Sequence, residues 1–181
     1  RFHLAGAYQI ENAALAWEAV QGLRSLGFRI SDEAFRRGME KTVWRGRFTC
    51  IHREPLVIMD GAHNEDAAKK LAASIETYFP GRKISYIMGV FKDKEYEKVI
   101  RITAPYAAKV TAVETPGNPR ALPKEELKKV WETFGVPVTT ADTIAEAVKE
   151  NIKSAEKEEI ILVFGSLSFL GEAEKAVKEL G

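Results

Sequence analysis

Most of the common routes to chemistry are missing from this sequence. It has one cysteine, Cys50, and three histidines, His3, His52 and His63. A lone thiol forms no internal disulfide, which fits a reducing compartment and a cytoplasmic location. With no electropositive motif around it, Cys50 reads as core filler rather than a nucleophile. The histidines are far apart and none opens an H-E-x-x-H or joins a Cys/His cluster, so no metal cage is expected from this chain's residues. There is no G-x-x-x-x-G-K-[ST] loop to cradle a phosphate and no G-x-S-x-G elbow to present a serine. No apolar run approaches the ~20 residues that span a bilayer. The 27 Lys and Arg nearly balance the 26 Asp and Glu, so no strong field favours nucleic acid or an anionic membrane as partner. The opening "RFHLAGAYQ" has neither a signal-peptide core nor an initiator methionine, and the expectation is a piece of a longer protein.

What is present is organised. The 181 residues, 45% hydrophobic and 29% charged, suit one good-sized domain or one domain plus part of another. "NAALAWEAVQGLRSL", residues 12–26, spaces its apolar residues as a helix face. Gly27 ends it, and Ser31 or Asp32 can cap a second helix reaching about Thr42. After "WRGR" the texture changes to short apolar runs, at 48–52, 56–60, 83–89, 107–114, 136–141 and 159–166. Helical patterns separate them, at 64–78, 93–103, 123–134, 142–156 and 167–180. This alternation predicts an α/β fold: a Rossmann-like, mostly parallel sheet with helices on both faces. Only a few residues separate the first two runs, so a hairpin there adds one antiparallel edge strand. The expected division is a helical segment, 1–46, and an α/β domain, 47–181. Trp17 and Trp131, at apolar helix positions, are expected in the core.

In such sheets ligands bind beyond the carboxyl ends of the strands, beside helix N-termini. Four of those tips combine glycine with charged or hydroxyl groups: "DGAHN", "GVFKDK", "ETPGNPRALP" and "GSLSFLGE". A polar-ligand site on that edge is the expectation. Plain structural roles stand beside it. Asn64 suits a helix N-cap, Asp60 the amides of its own loop, and Ser166 a cap after Gly165. Lys92 and Lys94 suit solvated surface, and Arg47 a stack on its neighbours or a weak surface pair.

The motifs "LAGAYQIENAALA", "WRGRF", "DGAHNEDAA", "MGVFKDKEYEKV", "TPGNPRALPKEEL" and "LVFGSLSFLGE", in this order, resemble the C-terminal part of folylpolyglutamate synthase/dihydrofolate synthase, a branch of the Mur ligase family. The resemblance covers essentially the whole chain. It implies an ATP-dependent ligase that joins glutamate to a folate or dihydropteroate carboxylate through an acyl phosphate, with Mg²⁺. It further implies that Asn12 reads the adenine edge, Arg47 reaches the ATP phosphates and Asp60 accepts the ribose hydroxyls. His63 is the implied catalytic residue, a polar group positioned near the phosphates or the incoming amino acid. Lys92 or Lys94, with Ser166, would hold the glutamate carboxylates. The partners implied are folate or dihydropteroate, L-glutamate and an ATPase domain upstream of Arg1 that carries the phosphate loop and magnesium ligands. Residues 1–46 would be that domain's last helices, and the chain alone is expected to be inactive. One departure stands out, Tyr8 where the family often has histidine. Two other readings remain open: a sister ligase for another amino acid, and a non-catalytic nucleotide-binding module of Rossmann type.

Overall fold

The structure, a computed structural model, describes residues 4–180; His3 lies outside them. Helices α1 (Gln9–Ser25) and α2 (Asp32–Lys41) come first. Gly27 ends the first at φ 92°, and the Ser31 side chain caps the second by accepting the Ala34 N–H. The rest alternates: β1 (Thr49–Arg53), β2 (Leu56–Met59), α3 (Glu65–Tyr78), β3 (Ile84–Met88), α4 (Tyr96–Thr103), β4 (Ala107–Ala112), α5 (Lys124–Glu132), β5 (Val138–Thr140), α6 (Ile144–Ser154), β6 (Ile160–Phe164) and α7 (Leu170–Lys178). Strand order is β1-β2-β6-β3-β4-β5. Every pairing is parallel except β1 with β2, the expected hairpin at the edge.

The continuous apolar runs are explained by burial on both faces. Along β6, Ile160, Leu162 and Phe164 face one core with Tyr86, Met88, Leu71 and Trp131. Ile161 and Val163 face the other with Val57, Val148, Ala173 and Val177. The first core is covered by α3, α4 and α5, the second by α6 and α7. Trp131 is the largest fully buried side chain; it meets Tyr86 edge-on at 5.9 Å and donates its Nε1–H to Met88 Sδ at 3.2 Å.

Two placements differ from expectation. Cys50 is exposed, not core. It lies on the edge strand, where alternate residues face opposite ways and α7 covers only one of them; Ile51 takes that side and packs into the second core. Trp17 is only half-buried, against Phe35 at 5.0 Å and under the Arg24 guanidinium at 5.2 Å. The helical pair has no sheet of its own in this chain to bury that ring more deeply. Some boundaries also move. Helix α4 starts at Tyr96 rather than 93, because 92–95 forms a turn, and α7 is preceded by a 3-10 turn at Leu167–Phe169.

Candidate functional site

The topology reverses direction at the β2 and β6 tips, because the chain leaves β2 for β3 and returns through β6 between them. That is where an open α/β sheet makes a crevice. Asp60 ends β2 there. It is 3% exposed and accepts three hydrogen bonds: Phe48 N–H at 2.8 Å and Tyr8 O–H at 3.1 Å on Oδ2, and Ala62 N–H at 2.8 Å on Oδ1. Burial pushes the Asp60 carboxyl above the ordinary carboxylate range. The two backbone N–H groups, the Tyr8 hydroxyl and the field of Arg47 draw it part of the way back. The Tyr8 phenol is pushed up as well, first by burial and then by the Asp60 charge, so it stays a donor.

Gly61 follows because nothing larger fits. A Cβ there would lie 2.3 Å from Leu167 Cδ2 and 3.1 Å from Arg47 Nη1, so the β6 tip and the arginine close directly over the backbone. His63 Nδ1 lies 2.8 Å from the Gly61 carbonyl. A carbonyl only accepts, so Nδ1 carries the proton, and the neutral ring keeps Nε2 as its acceptor. Asn64 then caps α3, accepting the Ala67 N–H at 2.9 Å. The structural role expected for Asn64 is the one observed.

Four of the seven sequence-derived residues meet around one cavity of about 260 Å³. Asn12, Arg47, Asp60 and His63 line it, with Tyr8, Asn64, Asp66 and Lys70. The walls come from both segments: Tyr8 and Asn12 from the helical part, Arg47 from the "WRGRF" turn, the rest from the β2 tip and α3. The Arg47 side chain has no hydrogen bond or ion pair with a described residue, so its fixed fork of donors is available to an anion. Asn12 donates its amide to Gln9 Oε1 at 3.0 Å, which fixes its orientation and leaves its own carbonyl oxygen unengaged.

Lys92, Lys94 and Ser166 do not line this cavity. Lys92 and Lys94 sit on the β3 tip and Ser166 on the tip of its neighbour β6. Ser166 is buried; its hydroxyl lies 2.7 Å from that of Ser168, and it accepts the Ser168 N–H at 3.3 Å. The lysine loop is braced from the β4 tip. Arg120 hydrogen-bonds Asp93 (Nε–Oδ1 3.3 Å), stacks over Phe91 at 5.0 Å, and accepts the Lys92 N–H on its carbonyl at 2.9 Å. Asp93 is held below the ordinary carboxylate range by that arginine.

Sequence reasoning missed Lys70 and Asp66, whose only signal was i,i+4 spacing on α3, where they form an ion pair at 2.9 Å. It also missed Phe48. This residue adopts φ 47°, unusual without glycine, and is held there by its N–H to Asp60 and by ring contact with Tyr78 at 5.3 Å. A left-handed phenylalanine leaves no mark in a sequence.

Among the described residues no group of three or more His, Cys, Asp or Glu side chains could hold a metal ion, and no helix is long and apolar enough to cross a membrane. Residues 46–167 match the glutamate ligase domain of the Mur ligases. A dihydrofolate synthase/folylpolyglutamate synthase of Bacillus subtilis is 31% identical over 98% of this chain and 41% of its own length. The folylpolyglutamate synthase of Mycobacterium tuberculosis, solved with ADP, superposes with a TM-score of 0.83 at 27% identity, over 97% of this chain and 41% of that one. That of Thermotoga maritima gives 0.78 at 28% identity, over 99% and 41%. The chain thus spans about two fifths of the length of these relatives.

Proposed function

Because this chain belongs to the Mur ligase family through its glutamate ligase domain, we propose that it is the C-terminal part of an ATP-dependent ligase of folate metabolism, adding glutamate to a folate or dihydropteroate carboxylate. In this reading residues 1–46 are the last helices of an ATPase domain and 47–181 the ligase domain. The observation that carries it is the convergence of Asn12, Arg47, Asp60 and His63 on one cavity walled by both segments.

The roles follow from donor chemistry. Asp60, buried and hydrogen-bonded, accepts a ribose hydroxyl. Arg47 neutralises phosphate oxygens as the γ-phosphoryl group moves to the substrate carboxylate, and Asn12 offers an amide to the adenine edge. His63 is fixed by the Gly61 carbonyl, so its Nε2 can accept a proton from a bound amine or orient it. Lys92 or Lys94, and Ser166, on the adjoining tips, hold the glutamate carboxylates. The cavity fits a ribose and part of a phosphate chain, not a whole nucleotide, which agrees with a site completed by another domain. Magnesium would supply charge neutralisation at the phosphates, with ligands from the ATPase domain.

ADP release by the ligase carrying both domains tests this, with ATP, Mg²⁺, and tetrahydrofolate or dihydropteroate. Turnover is expected to require glutamate and to fall about a hundredfold or more in Arg47→Ala, since a charge-stabilising group in a transition state is worth about that. The 181-residue chain alone is expected to release no ADP. Glutamate-independent turnover, or no turnover with either pterin substrate, rejects the folate ligase reading. Turnover that Arg47→Ala leaves intact rejects the role of Arg47.

A further inference from the structure

A ribose offers a 2′- and a 3′-hydroxyl, and an unobstructed carboxylate can accept both, one on each oxygen. Asp60 is obstructed. A carboxylate has about four lone-pair positions, and on Oδ2 both are taken, by Phe48 N–H at 2.8 Å and Tyr8 O–H at 3.1 Å. On Oδ1, Ala62 N–H takes one at 2.8 Å. A single position remains. Two of the three donors are backbone groups of the ligase domain and belong to its fold. Only the third is a side chain, and it comes from the helical segment.

We infer that Tyr8 determines how the nucleotide ribose is read: by filling Oδ2 of Asp60 it leaves one acceptor position, so a single ribose hydroxyl is recognised. This rests on the reading of Asp60 as ribose acceptor proposed above. The phenol is not free to swing aside. Its ring lies against Gly6, where a Cβ would come within 3.0 Å of Cε1. The next residue back, Ala7, donates its N–H to Ser74 Oγ on α3 at 3.1 Å, pinning the segment to the ligase domain. Burial and the Asp60 charge keep the phenol protonated throughout the working pH range, so the position stays filled.

The test compares KM for ATP, 2′-deoxy-ATP and 3′-deoxy-ATP in the ligase carrying both domains. One deoxynucleotide should match ATP within about twofold and the other should weaken about tenfold or more, the worth of one hydrogen bond to a charged acceptor. In Tyr8→Phe the second position opens, and both deoxynucleotides should weaken relative to that variant's own ATP, with kcat changing less than KM. Tyr8→His, which keeps an N–H donor, should restore the single-hydroxyl pattern. Equal penalties for both deoxynucleotides in the unmutated enzyme overturn the inference without any variant, as does a Tyr8→Phe enzyme that keeps the single-hydroxyl pattern. Asp60→Asn separates the two levels of failure. If it weakens ATP while both deoxynucleotides are penalised in the unmutated enzyme, only the role of Tyr8 falls. If it leaves ATP unchanged, Asp60 is no ribose acceptor and both readings of it fall.

Discussion

Helices α1 and α3 carry similar apolar spacing and meet opposite fates. Helix α3 buries Ala68, Leu71, Ala72 and Ile75 against the sheet. Helix α1 fully buries only Gln9, and Leu15 on the same helix is 71% exposed. Around it Ile10, Leu26, Val43 and Trp44 are exposed too. An amphipathic pattern records that a face needs a partner; it does not record whether the partner lies in the same chain. The α/β part closes its two cores by itself, while the helical part is tied to it mainly where Ala7 meets Ser74 and Tyr8 meets Asp60.

The largest effect that would test this contrast comes from two tryptophans. Trp131→Ala should destabilise the chain by about 3–5 kcal/mol, the usual cost of emptying a buried aromatic site, measured by denaturant unfolding. Trp17→Ala, half-buried in the helical segment, should cost no more than about 1 kcal/mol, in line with ordinary partly exposed positions. Equal losses would mean that the helical pair and the sheet unfold as one unit, and the contrast would collapse.

The contrast also explains what was legible in the sequence. Each strand was visible because both its faces are buried, so the apolar runs were continuous, and parallel order followed from the intervening helices. Asn12, Arg47, Asp60 and His63 were named through the resemblance, and the fold brings them to one cavity. Composition and spacing alone reached only the polar strand tips. What stayed hidden depends on three-dimensional approach. The exposure of Cys50 depends on which side of an edge strand α7 covers, and the left-handed Phe48 and the Tyr8–Asp60 bond both depend on the turn between segments. None of these has a periodicity to read.

Within the α/β part the closest approach is between the β3 and β6 tips. Gly165 sits at φ 111°, and a Cβ would lie 2.4 Å from the Gly89 carbonyl oxygen, a backbone atom that cannot rotate away. Gly165→Ala should therefore cost about 2–3 kcal/mol, the range of strained non-glycine backbone with a clash added. Gly61→Ala, which meets the flexible Leu167 side chain, should cost less. Thermal melting of the two variants ranks them, and the reverse order would show that the tips can separate.

A smaller effect appears as a slope with pH. Burial raises the folded pKa of Asp60, so ionisation is easier in the unfolded chain. Its contribution to stability is complete below the ordinary carboxylate range and is lost as pH rises through the raised folded value. Asp60→Asn cannot ionise, so the stability difference between native and variant should shift in the variant's favour from acid toward neutral pH. Parallel profiles, or a shift in the opposite direction, would mean that the hydrogen bonds to Asp60 outweigh its desolvation.

The smallest expected effect is the most informative about the helical part. Leu15→Ser in this chain should change unfolding free energy by no more than about 0.5 kcal/mol, as for other exposed positions, because the side chain has little to lose. Leu71→Ser, on the buried face of α3, should cost several times more. In the proposed two-domain ligase the same Leu15→Ser should become costly, since an apolar residue this exposed in the isolated chain is the kind that a neighbouring domain covers. A Leu15→Ser penalty that is small in both settings would leave this face solvated in the complete enzyme as well. The helical part would then be a strap held only by its two contacts at Ser74 and Asp60, and the nucleotide cavity would depend on those two hydrogen bonds for its outer wall.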